Sequence, residues 1–204
     1  MSFYDRIQDK EKLKKDFLSI TFFVTLYENF KSRWKEEVIA FYSSGYHYEN
    51  ENIKHHFMVE NPDNPTELIK DKEAEKKFND EVYHLVPKEN GGYDREASLF
   101  KWLLNNELIQ LKHYDKLLEI RRLRNKVVHE LDFLLDEDEP LNFTDEIKDL
   151  IEIRKYASKE WFLNFELPTD PDAELNDDGT LKIPDQVYST IDLSYDYLYD
   201  ILFK

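Results

Sequence analysis

The chain of 204 residues contains no cysteine, four glycines, seven prolines and two methionines. Without cysteine there are no disulfides, no thiolate nucleophile and no Cys-based metal site, which fits a reducing compartment and makes a cytoplasmic location the expectation. So few glycines leave too little turn punctuation for an all-β sandwich of many short strands. No stretch approaches the ~18 consecutive apolar residues of a membrane-spanning helix, and MSFYDRIQDKEKLKKDF holds no apolar run behind basic residues. Neither membrane insertion nor secretion is expected. Positive charge is also short: 28 Lys and Arg stand against 44 Asp and Glu, a net charge of −16 that repels polyanions at long range. Any nucleic-acid site must therefore be a local basic patch.

What the chain has is rings and charge, with 14 Phe, 13 Tyr and 3 Trp and 35% charged residues. A core rich in aromatics inside one helical domain spanning 1–204 is the expectation. From Leu18 the apolar residues Phe22, Leu26, Phe30, Trp34, Val38 and Phe41 recur at three and four, predicting a long helix with Gly45 just past its end. A shorter charged helix using Ile7, Leu13 and Phe17 is expected before it. Residues from about 46 to 90 read as an inserted excursion: NPDNPTE carries turn residues, a charged helix runs from roughly Pro65 to Val82, and Asn90, Gly91 and Gly92 make a turn.

After Asp94 the pattern sharpens. Leu99, Phe100, Leu103 and Leu104 form a helical stripe that breaks at Asn105 and Asn106. A second helix follows with Tyr114, Leu117, Ile120, Leu123, Val127, Leu131 and Leu134 on its apolar side, ending by the acidic run Asp136 to Glu139. Thr144 is placed to cap the next helix, whose core positions are Ile147, Leu150, Ile151, Ala157 and Trp161. A long connection then contains ELNDDGTLKI, a small hairpin around Asp178 and Gly179. The last helix presents Val187, Ile191, Tyr195, Leu198 and Leu202 as its apolar stripe.

The clearest local anomaly is EIRRLRNKVVHEL, which concentrates Arg121, Arg122, Arg124 and Lys126 in six residues of an acidic chain and then reaches His129. Two readings stand on the residues alone. Solvated Arg and Lys paired with Glu119 and Glu130, beside an ordinary surface histidine, explain the spacing. A phosphodiester site explains it as well, because Arg grips phosphate with a fork of donors and His moves protons near neutral pH. On a regular helix Asn125 and His129 share a face, whereas Arg124 points about 140° from His129 at ~100° per residue. Its side chain must then curl round, or a second copy must complete the site.

Arg124, Asn125 and His129 resemble the RNxxxH motif of the HEPN superfamily, and the resemblance covers about Glu96 to Trp161, with a helix, a polar break and a second helix ending in the motif. The Leu18 to Phe41 helix fits more loosely as an earlier bundle member. The resemblance implies an all-α fold, an up-and-down four-helix bundle of HEPN type with an inserted excursion at about 46–90, a motif-bearing core at about 96–161 and an added C-terminal helix. It further implies a homodimer with a composite site and a metal-independent endoribonuclease of toxin or antiviral-defence type, needing no cofactor. In that reading His129 is the general acid and base, Arg124 holds the scissile phosphate, and Asn125 orients one of them. Arg121, Arg122 and Lys126 bind the RNA backbone, and a cognate antitoxin or nucleotidyltransferase is a possible partner. One toxin subgroup carries Tyr two positions after the His, where this chain has Leu131. A non-catalytic helical module that binds nucleotide, RNA or a partner protein is the alternative.

Weaker signals carry blander readings. His47, His55, His56 and His84 have no helical i, i+4 pair among them, so scattered surface histidines are expected and no metal site is assigned. Glu174 to Asp185 imitates a calcium loop but has Glu at its first position and Asp at its twelfth, and a plain turn is preferred. The tail SYDYLYDILF fits either a dimerisation face or packing on its own bundle.

Overall fold

A computed structural model describes residues 9–43, 47–50, 53–55, 57–129, 143–184 and 187–204. The chain is mostly helical, with six α-helices and two two-stranded antiparallel hairpins among the described residues. These divide into two compact units, one of Met1–Glu28 with Leu103–Lys204 and one of Asn29–Trp102.

Helix α1, Lys10–Tyr42, contributes to both units. Asp9 starts it by accepting from the Lys12 N–H through Oδ1 at 3.0 Å, and Leu13 and Phe17, expected on a separate shorter helix, lie within it. Ile7 and Gly45 lie outside the described residues. Leu26, Phe30, Trp34 and Val38 are fully buried as the spacing predicts, but Leu18 is 43% exposed and Ile20, Phe23 and Tyr27 are buried instead. At ~100° per residue the buried Ile20, Phe23, Leu26, Tyr27, Phe30, Trp34 and Val38 fall within an arc of about 120°, and Leu18 lies about 80° outside it.

In the unit of Asn29–Trp102, two hairpins follow α1, β1 (His47–Asn50) with β2 (Ile53–His55), and β3 (Met58–Asn61) with β4 (Asn64–Lys70). The first sets His47 opposite His55. The expected helix from Pro65 is thus corrected in its first part to a strand. Asn64 and the proline after it favour extended backbone, Val59 pairs with Ile69, and Asn61 Oδ1 closes the turn on the Asp63 N–H at 3.0 Å. The helix itself, α2 (Lys72–Phe78), begins only where Asp71 caps the Ala74 N–H, and it continues as a π turn, Asn79–Tyr83. Gly91 and Gly92 take positive φ in the turn expected there, and Asp94 then caps α3 (Arg95–Asn105). This unit is held by rings: Phe78 lies 5.4 Å from Phe57 and 4.7 Å from Tyr83, and Phe30 lies 6.1 Å from Phe100. The Tyr42 hydroxyl accepts from Trp102 Nε1 and donates to Glu81 at 2.7 Å; burial and that carboxylate push its pKa up to about 12.

In the other unit, α3 ends at the polar break predicted. Glu107 sits at φ 59°, its N–H reaches the Leu104 carbonyl and the Leu108 N–H reaches that of Leu103, the two bonds of a Schellman turn, with Leu103 and Leu108 both buried. The turn launches α4 (Leu111–His129), which buries Leu117, Ile120 and Val127. Leu131 and Leu134, expected on the same helix, lie outside the described residues. Helix α5 (Thr144–Trp161) buries every expected core position, but Phe143 occupies the cap and Thr144 is the first helical residue. Phe143 stacks on Phe23 at 5.0 Å instead. Lys116 to Asp149 at 3.0 Å and Gln110 to Tyr156 at 3.2 Å tie α4 to α5. The hairpin around Gly179 forms, with Leu175 bridged to Leu181. Two of its acidic residues are engaged within it: Asp178 accepts from Thr180, and Glu174 pairs with Lys182.

Helix α6 (Thr190–Phe203) departs most from expectation. Its one fully buried residue is Asp192, while Ile191 and Leu198 of the expected core stripe are 57% and 41% exposed. The reason is an ion pair: Arg154 Nε of α5 donates to Asp192 Oδ1 at 2.6 Å, with both side chains at most 2% exposed. Lys155 likewise binds Asp196 at 2.6 Å. Carboxylates, rather than the aliphatic stripe, turn α6 toward α5.

Candidate functional site

The six residues of the basic segment all lie on α4, within its last nine residues, 121–129. The helix reaches that far because its apolar side is buried through Val127 and because Lys126 and His129 in its last turn complement the negative end of the backbone dipole.

Arg124 and Asn125 are brought together. Arg124 Nη1 donates to Asn125 Oδ1 at 2.9 Å, so the amide holds one edge of the guanidinium. The other edge meets the Glu28 carboxylate of α1 through Nη2. Arg124 is left 21% exposed and Glu28 34%, a half-buried pair in which Coulomb attraction is screened less than at open surface. The side chain that spacing required to curl toward His129 is thus drawn toward α1. Glu28 was not legible as a partner, since nothing in sequence links positions 28 and 124 except one acid among many.

His129 stands apart as the final residue of α4, exposed, and among the described residues it makes no hydrogen bond or ion pair. Arg122 is exposed, whereas Arg121 and Lys126 are half-buried. The described part of the site is therefore an open helix face rather than a cleft. A cavity of about 560 Å³ between α5 and α6 is lined by Lys148, Lys155, Tyr156, Lys159 and Tyr188 among others, and by no residue of 121–129. On this open face the Arg124 guanidinium is already held by Glu28, so an anion using Arg124 would have to displace that carboxylate.

The chain matches no family model, no curated protein and no solved structure. One further residue belongs to the description of α4. His113 in the first turn of α4 is 6% exposed, and its Nδ1 accepts from the Gln110 N–H at 3.3 Å, the back half of a capping box. Its ring meets Tyr156 edge-on at 4.8 Å. Burial, and then the charge of Lys112, hold its pKa below the usual 6.5 against the opposing pull of Glu152. The tautomer is fixed by that bond, with the proton on Nε2. Sequence reasoning passed over His113 because a lone histidine carries no spacing signal.

Among the described residues, no group of three or more His, Cys, Asp or Glu side chains is arranged to hold a metal ion, and no helix is long and apolar enough to cross a membrane.

Proposed function

We propose that the chain is a metal-independent endoribonuclease of HEPN type, with α1, α3, α4 and α5 as the family's four helices, 46–90 inserted and α6 added. The observation that carries this reading is the Arg124–Asn125 hydrogen bond on α4 with exposed His129 one turn on from Asn125. A fork of donors held at a fixed angle suits a phosphodiester, and an exposed imidazole is free to approach a substrate oxygen. RNA supplies its own nucleophile. The 2′-hydroxyl loses its proton to a neutral His129 and its oxygen attacks the adjacent phosphorus. Arg124 stabilises the charge that develops on the phosphoryl oxygens. The 5′-oxygen leaves with a proton from an imidazolium, giving a 2′,3′-cyclic phosphate and a 5′-hydroxyl. Because Arg124 points away from His129 on one helix, Arg124 of one copy serves His129 of another in a homodimer.

The second reading, a binding module without catalysis, is favoured by the Glu28–Arg124 contact, which already satisfies the cation that catalysis needs. Purified protein incubated with mixed single-stranded RNA and chelator separates the two. The nuclease reading predicts cyclic-phosphate ends from wild type and none from His129→Ala. Equal cutting by both proteins, or binding of RNA with no cutting by either, would sink it. In the latter case a steep fall of affinity with salt identifies the basic face as the binding surface.

A further inference from the structure

The cavity between α5 and α6, about 560 Å³, has the size of a small-molecule site. Four lysines line it, Lys148, Lys155, Lys159 and Lys204, against three carboxylates, Glu152, Asp196 and Asp200. A chain of net charge −16 thus gathers an excess of cation around this space. Two of the lysines are matched, Lys155 by Asp196 at 2.6 Å and Lys204 by Asp200 at 2.7 Å. Among the described residues Lys148 and Lys159 make no ion pair, although Lys159 is half-buried. Tyr156, Tyr188 and Tyr199 also line the cavity, and each ring is braced by a neighbour. Tyr156 meets His113 edge-on at 4.8 Å and its hydroxyl accepts from Gln110 Nε2 at 3.2 Å. Tyr188 lies under Lys155 Nζ at 5.1 Å, and Tyr199 lies 5.3 Å from Phe203.

We infer that this cavity binds a small organic phosphate that carries a flat ring, with the phosphate on Lys155 and Lys159 and the ring among the tyrosines. Lys155 and Lys159 are four residues apart on one face of α5, about 6 Å of rise at ~1.5 Å per residue. A phosphate monoester brings three acceptor oxygens and close to two negative charges, enough to bridge both ammonium groups, where a carboxylate brings two oxygens and one charge. Lysine serves phosphate as a point charge, which leaves the angle of approach open. The Lys148 end suits the phosphate less, because Glu152, four residues on, lines the same cavity and makes no ion pair among the described residues. Rings already fixed by their neighbours lose little freedom when a ligand stacks on them, and offset stacking on tyrosine selects a flat group over an aliphatic one. Nucleoside monophosphates and simpler aryl phosphates share this chemistry. None of it depends on the reaction proposed for α4.

Isothermal titration calorimetry on the intact chain tests it with three probes, phenyl phosphate, adenosine monophosphate and inorganic phosphate, and circular dichroism is the control for folding. At least one of the two ring-bearing probes binds wild type with a Kd below about 1 mM, and inorganic phosphate binds at least about tenfold more weakly. The tighter of the two esters tells a nucleotide from a simpler aryl phosphate. Lys159→Met weakens that binding by at least about tenfold. Tyr188→Leu, an independent probe of the same walls, weakens the ester and leaves inorganic phosphate as it was. Arg122→Ala, on the basic face of α4, changes neither. Wild type that binds neither ester at millimolar concentration overturns the inference. So does a Kd in Lys159→Met and Tyr188→Leu equal to that of wild type, which would place the anion elsewhere, including at α4. Inorganic phosphate bound as tightly as both esters overturns it too.

Discussion

Replacing Asp192 by alanine should be among the most damaging single changes to this protein, because it strands a buried cation. Arg154 is 2% exposed and Asp192 0%, with Nε and Oδ1 2.6 Å apart. The second carboxylate oxygen accepts from the Ser189 hydroxyl at 2.7 Å, and that hydroxyl caps α6 by accepting from the Asp192 N–H at 3.2 Å. Arg154 also lies over the Tyr195 ring at 4.9 Å. Breaking a buried pair by removing one partner costs about 3–5 kcal/mol. For a chain of this size each kcal/mol moves the melting midpoint by roughly 2–4 °C, so a fall of about 6–20 °C is expected. Arg154→Met combined with Asp192→Leu removes both charges and should return to within about 2 kcal/mol of wild type, since the desolvation cost goes with the attraction. Asp200→Ala, whose pair with Lys204 is open to solvent, should leave the midpoint in place. Thermal melts by circular dichroism and urea midpoints read these proteins together with the single variants Arg154→Met and Asp192→Leu. A loss below about 1 kcal/mol for Asp192→Ala, or a double variant no better than the sum of its singles, refutes the view that charge anchors α6.

Two further outcomes follow from α4 and its partners. His113 is held neutral by burial and then by the charge of Lys112, so its pKa lies below the unfolded 6.5. The unfolded chain takes up the proton first; stability is fully present above 6.5 and is lost as pH falls through the lowered folded value. His113→Gln should flatten that acid limb of the urea midpoint, and an unchanged slope would remove His113 as its source. Glu28→Gln withdraws the carboxylate from Arg124. It should lower stability by about 1 kcal/mol, as for a half-buried pair, and tighten binding of single-stranded RNA, measured by fluorescence anisotropy. RNA affinity unchanged from wild type would separate Arg124 from phosphate recognition.

How far the site was legible differs residue by residue. The helix that bears Arg124, Asn125 and His129 was readable because Leu117, Ile120 and Val127 repeat at helical spacing, and that repeat fixes on which side the polar residues stand. The break before it was readable from Asn105 and Asn106, although the left-handed residue there is Glu107, which no turn preference singles out. The strand at Asn64–Lys70 was hidden because Glu, Leu, Ile and Lys serve helix and strand alike, and its pairing with Met58–Asn61 decided the matter.

Periodicity and composition by themselves determined that this protein is mostly helical, rich in buried rings, acidic overall and basic at one place, Arg121 to Lys126 with His129 after it. They determined this because helix formation and amphipathic burial depend on neighbours three and four residues away. Tertiary structure alone decided that Arg124 meets Glu28, that Asp192 lies buried on Arg154 38 positions earlier, and that the apolar side of α6 therefore faces out. A helical wheel shows that α6 has two unlike sides but not which is inside; that depends on whether a matching cation waits on the neighbouring helix. Here Arg154 waits there, and leaving that buried cation unpaired would cost more than leaving the stripe of leucine and isoleucine exposed.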